Sequence, residues 1–554
     1  MAAAAIVPLT SAATAHAGAT TTKYTRATFL QHALGLPASV TNPAIDSVTY
    51  DRFQHLLRQE GNLALLIGDP KTDPTFAERA REVEAAARAA GVGKVYWFNP
   101  NLSGGVTLTG VTVPDLDIRD AASITTLTAS SRNKYKDAWG NLIAQSLGNG
   151  IVATRTNPGA QGQAVVTAAG ANVNDAEDPV YDYSAGDPAG LTDSYFFVYN
   201  TEHTSGGQPD KIVSAVNLTE ETDAAAKVAA ALAGRTFATV GQFEWWKEEA
   251  NERARVAATN PSRGPDVPVL TDADNRAADG GWRVLQVTLP ELVDLLTHAT
   301  DADAAILFGG TWCPNTRAVL PFVNREAQKN DVTVFNYDTV LDGGKVAGNP
   351  TGGSNPLQTR NAHGNGAFPS FLYGQLIEQF LSNFQTQYQV NEPNAITFFP
   401  GGDTTKPERR VARLQVPYLF AYQGQGGDAP AGGVTRQWII KLNETANREY
   451  MSNWWMTNPQ PFQVGLTQLP QDAPYWTTLN QQIAAFSWKT DVASVLPDRS
   501  ISSDAAQFLV DSDTATVTPT STGASVSTGG PVVISPAALA AAKAALGAAA
   551  PATL

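Results

Sequence analysis

The chain has 554 residues, 38 Lys plus Arg against 52 Asp plus Glu, a formal net charge of −14 and 43% hydrophobic residues. So acidic a chain, without a Lys/Arg cluster, is a poor partner for nucleic acid, and no apolar run approaches the roughly 20 residues of a membrane helix. Its one cysteine, Cys313, excludes an intrachain disulfide and zinc sites built from several thiolates, while histidines at 16, 32, 55, 203, 298 and 363 show no short ligand spacing; no metal or cofactor is expected.

At about 150 residues per domain, the length allows three to four domains or fewer large ones. Residues 2–17, AAAAIVPLTSAATAHA, are small and apolar and end in Ala15-His16-Ala17, the form read by signal peptidase. The first basic residue is Lys23, so residues 1–17 read as a truncated export signal, with an alanine-rich tail as the alternative. Export to the cell envelope or outside would place Cys313 beyond the reducing cytosol.

An internal repeat organises the chain from residue 48 onward. VTYDRFQHLL (48–57) reads as an amphipathic helix start before the apolar strand NLALLIGD (62–69); VTLPELVDLL (287–296) precedes the strand AAILFGG (304–310) in the same way. Each strand leads through a loop to a helix, 73–91 and 315–330, and then to another strand, KVYWFNP (94–100) and VTVFNYD (332–338). Both copies therefore read β-α-β, whose product is a parallel strand pair. The helical motif WGNLIAQSL (139–147) matches YGQLIEQFL (373–381). Aromatic strands come next at 194–200 and 417–423, with return strands at 211–217 and 437–443, and helix 219–234 closes the first copy.

The expected fold class is α/β, as two tandem α/β domains with helical insertions: residues 18–259 and 282–512, joined by a linker at 260–281. Asp272, Asp274 and Asp279 in that linker lack a calcium-loop pattern and read as solvated. Residues 513–554 read as a flexible Ser/Thr/Gly tether and an alanine-rich tail, with a short helix capped by Ser535 and opened by Pro536. Trp245-Trp246 and Trp454-Trp455 read as core residues rather than recognition aromatics. His203 and His363 read as loop residues.

The segment AAILFGGTWCPNTRAVLP (304–321) carries a buried-type strand through Trp312-Cys313-Pro314-Asn315-Thr316 into a helix containing Pro321. It resembles the thioredoxin superfamily, whose sites read Trp-Cys-x-x-Cys after the strand, with a helix-kinking proline eight residues beyond the first cysteine. The resemblance extends in outline over 283–445, with a long insertion at about 340–410, and Pro417 stands where the family keeps a cis-proline. It implies a nucleophilic Cys313 shielded by Trp312, with Pro314, Val416 and Pro417 as substrate contacts. It also implies a dithiol partner at Thr316, which is not a cysteine, and a buried acid where this chain has Leu307.

What remains is a monothiol site that exchanges with protein or low-molecular-weight thiols and disulfides and needs an external thiol to finish turnover. The alternative is a non-catalytic envelope or surface binding protein that keeps the fold as scaffold. The first copy, with Thr72 opposite Cys313 and Ser194 opposite Pro417, keeps neither landmark.

Overall fold

The structure, a computed structural model, describes residues 24–147, 163–165, 180–182, 192–205, 208–258, 268–299, 304–345, 355–361, 366–424, 433–441, 447–448, 474–486, 488 and 499–500. The expected export signal, the tether and tail, His16, His363 and Trp454-Trp455 lie outside the described residues.

The first half begins with helix α1 (Arg26–Leu34), strand β1 (Ile45–Val48) and helix α2 (Tyr50–Leu56). Strand β2 (Leu63–Ile67), helix α3 (Phe76–Ala89) and strand β3 (Val95–Phe98) make the β-α-β unit. On α3 the buried positions are Phe76, Ala80, Val83, Glu84 and Ala87, one face at helical spacing. Glu84 turns inward because its carboxylate accepts the backbone N–H groups of Ala44 (3.0 Å) and Ile45 (2.9 Å), which satisfies the chain as it enters β1. After helix α4 (Ala129–Leu142), the antiparallel strands β4 (Tyr195–Tyr199) and β5 (Ile212–Asn217) complete the sheet, and helix α5 (Ala224–Leu232) follows.

The second half repeats the plan. Helix α6 (Gln242–Ala258) leads to strand β6 (Val284–Val287), helix α7 (Leu289–His298), strand β7 (Ala305–Phe308), helix α8 (Pro314–Asn330) and strand β8 (Val334–Tyr337). Helix α9 (Ser370–Phe380), strands β9 (Tyr418–Gln423) and β10 (Gly433–Gln437), helix α10 (Pro474–Ala484) and the short strand β11 (Arg499–Ser500) follow.

The class is α/β. The first sheet has the order β1-β3-β2-β4-β5 and the second β6-β8-β7-β9-β10-β11, so the first five strands of each run in the same order. Directions match too: the three leading strands are parallel, and the next two are antiparallel. Strands β2 and β7 are buried at every position, as expected of central strands covered on both faces.

Three details depart from the sequence reading. The matching helical motifs occupy corresponding places between β3 and β4 and between β8 and β9, but 139–147 leaves the α-helix at Leu142 for a π-helical turn at Ile143–Leu147. The return strand of the second copy is Gly433–Gln437 rather than 437–443; its ladder ends at the Phe420–Gln437 pair, and Trp438 and Ile439 are buried beyond it. Helix α6 precedes the expected linker, yet its buried Trp245 and Trp246 pack into the second half's core, with the Trp246 indole N–H donating to the Val284 carbonyl at 3.1 Å.

A continuous apolar cluster runs from Leu30 and Leu65 in the first half to Leu292, Phe308 and Phe420 in the second. The seam also carries buried polar contacts. Arg26 of α1 pairs with Asp46 (2.5 Å) and with Glu291 of α7 (2.8 Å), while Arg52 takes the other oxygen of Asp46 (2.7 Å). Burial opposes ionisation of Asp46, but Arg52 and Arg26 outweigh it and hold the carboxyl below its ordinary value. Among the described residues no helix is long and apolar enough to cross a membrane.

Candidate functional site

Strand β7 delivers the chain through Gly309, Gly310, Thr311 and Trp312 to Cys313, the N-cap of the 17-residue helix α8. Pro314 occupies the first turn, where its missing N–H costs nothing because that group would be unpaired anyway. Pro321 sits inside the helix and cannot donate to the Arg317 carbonyl. The Cys313 side chain makes no capping hydrogen bond; its thiol instead donates to the Val416 carbonyl oxygen.

The Sγ lies 3.8 Å from the Val416 carbonyl oxygen, and the Val416–Pro417 peptide bond is cis. The structure therefore brings together Trp312, Cys313, Pro314, Thr316, Val416 and Pro417, all contributed by the β7–α8 junction and the entry to β9. Cys313 is only 5% exposed and Trp312 likewise 5%, Pro314 is half-buried, and Thr316 is fully buried with no hydrogen-bond partner for its hydroxyl. The Arg317 guanidinium reaches back to the carbonyls of Thr311 (2.6 Å) and Trp312 (3.2 Å), tying the loop to the helix it opens.

Sequence reasoning missed the acid of this site. Leu307 is buried and apolar, but Asp338, immediately after β8, accepts the Trp312 indole N–H at 2.9 Å and 3.1 Å through its two oxygens. Burial, reinforced by the nearby Asp51 carboxylate, pushes Asp338 up to about 7 against the pull of the Trp312 and Val340 hydrogen bonds. Gly310 is required here, because a Cβ on it would lie 1.9 Å from an Asp338 oxygen and 2.4 Å from the indole nitrogen. The signal in the sequence was position: an acid at the carboxyl end of a parallel strand, where α/β sheets place their chemistry.

Asp338 also lines a cleft between the two halves, with Asp51, Asn99, Asn101 and Gln286. Asp51 is raised by burial, aided by Glu249, although Thr49 and Gln286 hydrogen-bond to it.

The corresponding place in the first half is occupied differently. Thr72 is exposed, and the buried Ser194 hydroxyl donates to Asp73 at 2.7 Å, beside a second bond from Thr219 at 3.0 Å. Burial disfavours the Asp73 carboxylate, but hydrogen bonds from Thr75, Ser194 and Thr219 prevail and hold it below its ordinary value.

Away from this site, helices α1 and α7 bring His32 and His298 to the same carboxylate, Asp294, although the sequence offered no close histidine spacing. Asn101, in a glycan-acceptor triplet, is buried and donates to Asp69 and Asp115, whereas His203 sits in a turn with its Nδ1 on the Asp210 carbonyl.

Comparison of the chain with known protein families, with curated proteins and with solved structures returns no match.

Proposed function

We propose that this is an exported protein of two tandem thioredoxin-like domains in which Cys313 of the second acts as a monothiol in thiol–disulfide exchange. The observation that carries the reading is the junction itself: a thiol at the N-cap of a long helix, 3.8 Å from the carbonyl that precedes Pro417. A thiolate formed there stands at the N-terminal end of the helix, where the dipole attracts negative charge. The thiolate attacks one sulfur of a partner's disulfide, the S–S bond of the partner breaks, and its other sulfur leaves as a thiolate that takes a proton from water. Thr316 supplies no second thiol, so an external low-molecular-weight thiol must attack the mixed disulfide and release Cys313. The backbone at Val416 and Pro417 is placed to hold an extended segment of the partner, with Trp312 beside the sulfur.

A second reading is favoured by the 5% exposure of Cys313: the domains are a scaffold for binding, and the thiol is a buried core residue. Reaction with a thiol reagent separates the two. A stabilised, reachable thiolate reacts at pH 6 nearly as fast as at pH 8. A midpoint near the free-cysteine value of about 8.5, or no reaction in the folded chain, sinks the exchange reading and leaves the scaffold.

A further inference from the structure

We propose that His32, Asp294 and His298 form a binding site for a borderline divalent cation of the zinc class, bridging the two halves of the molecule. Asp294 and His298 stand four residues apart on α7 and so share one face of that helix. His32 comes from the last turn of α1, 262 residues before Asp294 in the chain. The Nδ1 atoms of the two imidazoles converge on a single carboxylate oxygen, at 2.9 Å from His32 and 2.8 Å from His298, and the three ligand atoms lie within 4.8 Å of one another. Their rings approach with centroids 4.3 Å apart at an interplanar angle of 49°, so the contact is not a stacking arrangement.

An ion would replace the hydrogen bonds that the two Nδ1 atoms make to Asp294, those of His32 to both carboxylate oxygens and that of His298 to the backbone carbonyl at 3.1 Å included, and would release the Nδ1 protons. Bonds of about 2.0–2.1 Å to nitrogen and oxygen in a tetrahedral shell put ligand atoms about 3.3 Å apart, so each imidazole nitrogen must draw back from the Asp294 oxygen by roughly half an ångström. Both imidazoles are near half-exposed, at 41% and 49% of the side chain, which gives them room to move and leaves a fourth position open to water. Asp294 is held more firmly: only 12% of its side chain is exposed, and its second oxygen accepts the Tyr24 hydroxyl at 2.5 Å. That bond is the kind of outer contact that orients a ligating carboxylate. Two imidazole nitrogens and one carboxylate oxygen suit zinc and its neighbours in the first transition row, and they disfavour calcium and magnesium, which take oxygen shells. An ion here would tie helix α1 to the second half, across the seam where Arg26 meets Glu291.

The test is titration of the full chain with Zn2+ alone, followed by calorimetry and by thermal unfolding, with Co2+ as a spectroscopic probe. Expected is one equivalent bound per chain, a raised unfolding temperature on saturation, and the intense visible bands of four-coordinate Co2+. His32→Ala and His298→Ala, both at exposed positions, should each weaken binding at least tenfold and abolish the Co2+ bands. Cys313→Ser should leave both unchanged. Binding that survives both histidine variants, binding that depends on Cys313, or no uptake of Zn2+ in excess by the unaltered chain would overturn the proposal.

Discussion

Replacing Asp338 by Asn removes the buried acid that is hydrogen-bonded to the Cys313 loop while keeping its shape. In the folded protein this carboxyl stays protonated up to about pH 7, whereas in the unfolded chain it ionises near the reference value of about 3.9. Between those values the unfolded chain binds fewer protons, so the contribution of Asp338 to stability falls as pH rises through that window; below it both states are protonated, and above it both are ionised. About three units at roughly 1.4 kcal/mol each give a loss of up to about 4 kcal/mol from pH 4 to pH 7. The substituted amide cannot titrate, yet its oxygen can accept the Trp312 indole N–H and the Val340 N–H that Asp338 Oδ1 now accepts at 2.9 Å and 2.8 Å. Urea unfolding of both proteins from pH 4.5 to pH 8 should therefore show D338N gaining on the unaltered protein as pH rises, by roughly 3 kcal/mol over the range. Difference infrared spectroscopy gives an independent reading, since the protonated carboxyl band that titrates near pH 7 should vanish in the variant. A stability difference that does not change with pH, or one that shrinks as pH rises, would refute the assignment of Asp338 as a buried, protonated acid.

Arg26→Met should destabilise the chain by about 3–5 kcal/mol in urea unfolding, because it strands the Glu291 carboxylate, and in part Asp46, in the buried seam; a loss below about 1 kcal/mol would mean that solvent reaches the seam. Thr316→Cys puts a second thiol one helical turn from Cys313, within the reach of a disulfide, and a free-thiol assay after mild oxidation should find both sulfurs lost. Persistence of both thiols would mean that Cys313 is misdirected and would favour the scaffold reading.

The central strands were legible because LALLI and AILF are continuous apolar runs that end in glycine, and the helices because their apolar residues recur on one face. The edge strands β1 and β6 were not, since IDSV and VLQV interrupt the apolar pattern with Asp46, Ser47 and Gln286. All three are buried, Asp46 against Arg26 and Arg52 and Gln286 against Thr49 and Asp51 of the other half, and a rule that assigns polar residues to solvent cannot foresee such partners. The return strand slipped at its far end: Trp438 still donates its backbone N–H to Leu419 at 2.8 Å, but Ile440–Lys441 leave the sheet to pair with Asn447–Arg448. His32 and His298 were invisible to any spacing argument because helix packing alone makes them neighbours. Of the Cys313 site, the positions of the thiol and of Pro417 could be read from the chain, but the acid showed only by its place at a strand's end, because its link to the loop is a hydrogen bond between strand ends.

The two halves, compared at that link, separate what the contact does for the fold from what it can do chemically. The residue directly after the middle parallel strand is Asn99 in the first half and Asp338 in the second, and each bonds to the loop after the neighbouring strand. Asn99 donates its amide to Asp69 at 3.2 Å; Asp338 accepts the indole N–H of Trp312 at 2.9 Å. The tether is thus made in both halves with the donor and acceptor exchanged, and a neutral amide suffices for it where no thiol stands nearby. Tethering alone gives no reason for an acid at 338, where burial and the neighbouring Asp51 both oppose the charge. An acid at 338 therefore makes the tether depend on pH, through a carboxyl one hydrogen bond from the residue that precedes Cys313, whereas the amide at 99 leaves its tether indifferent to pH.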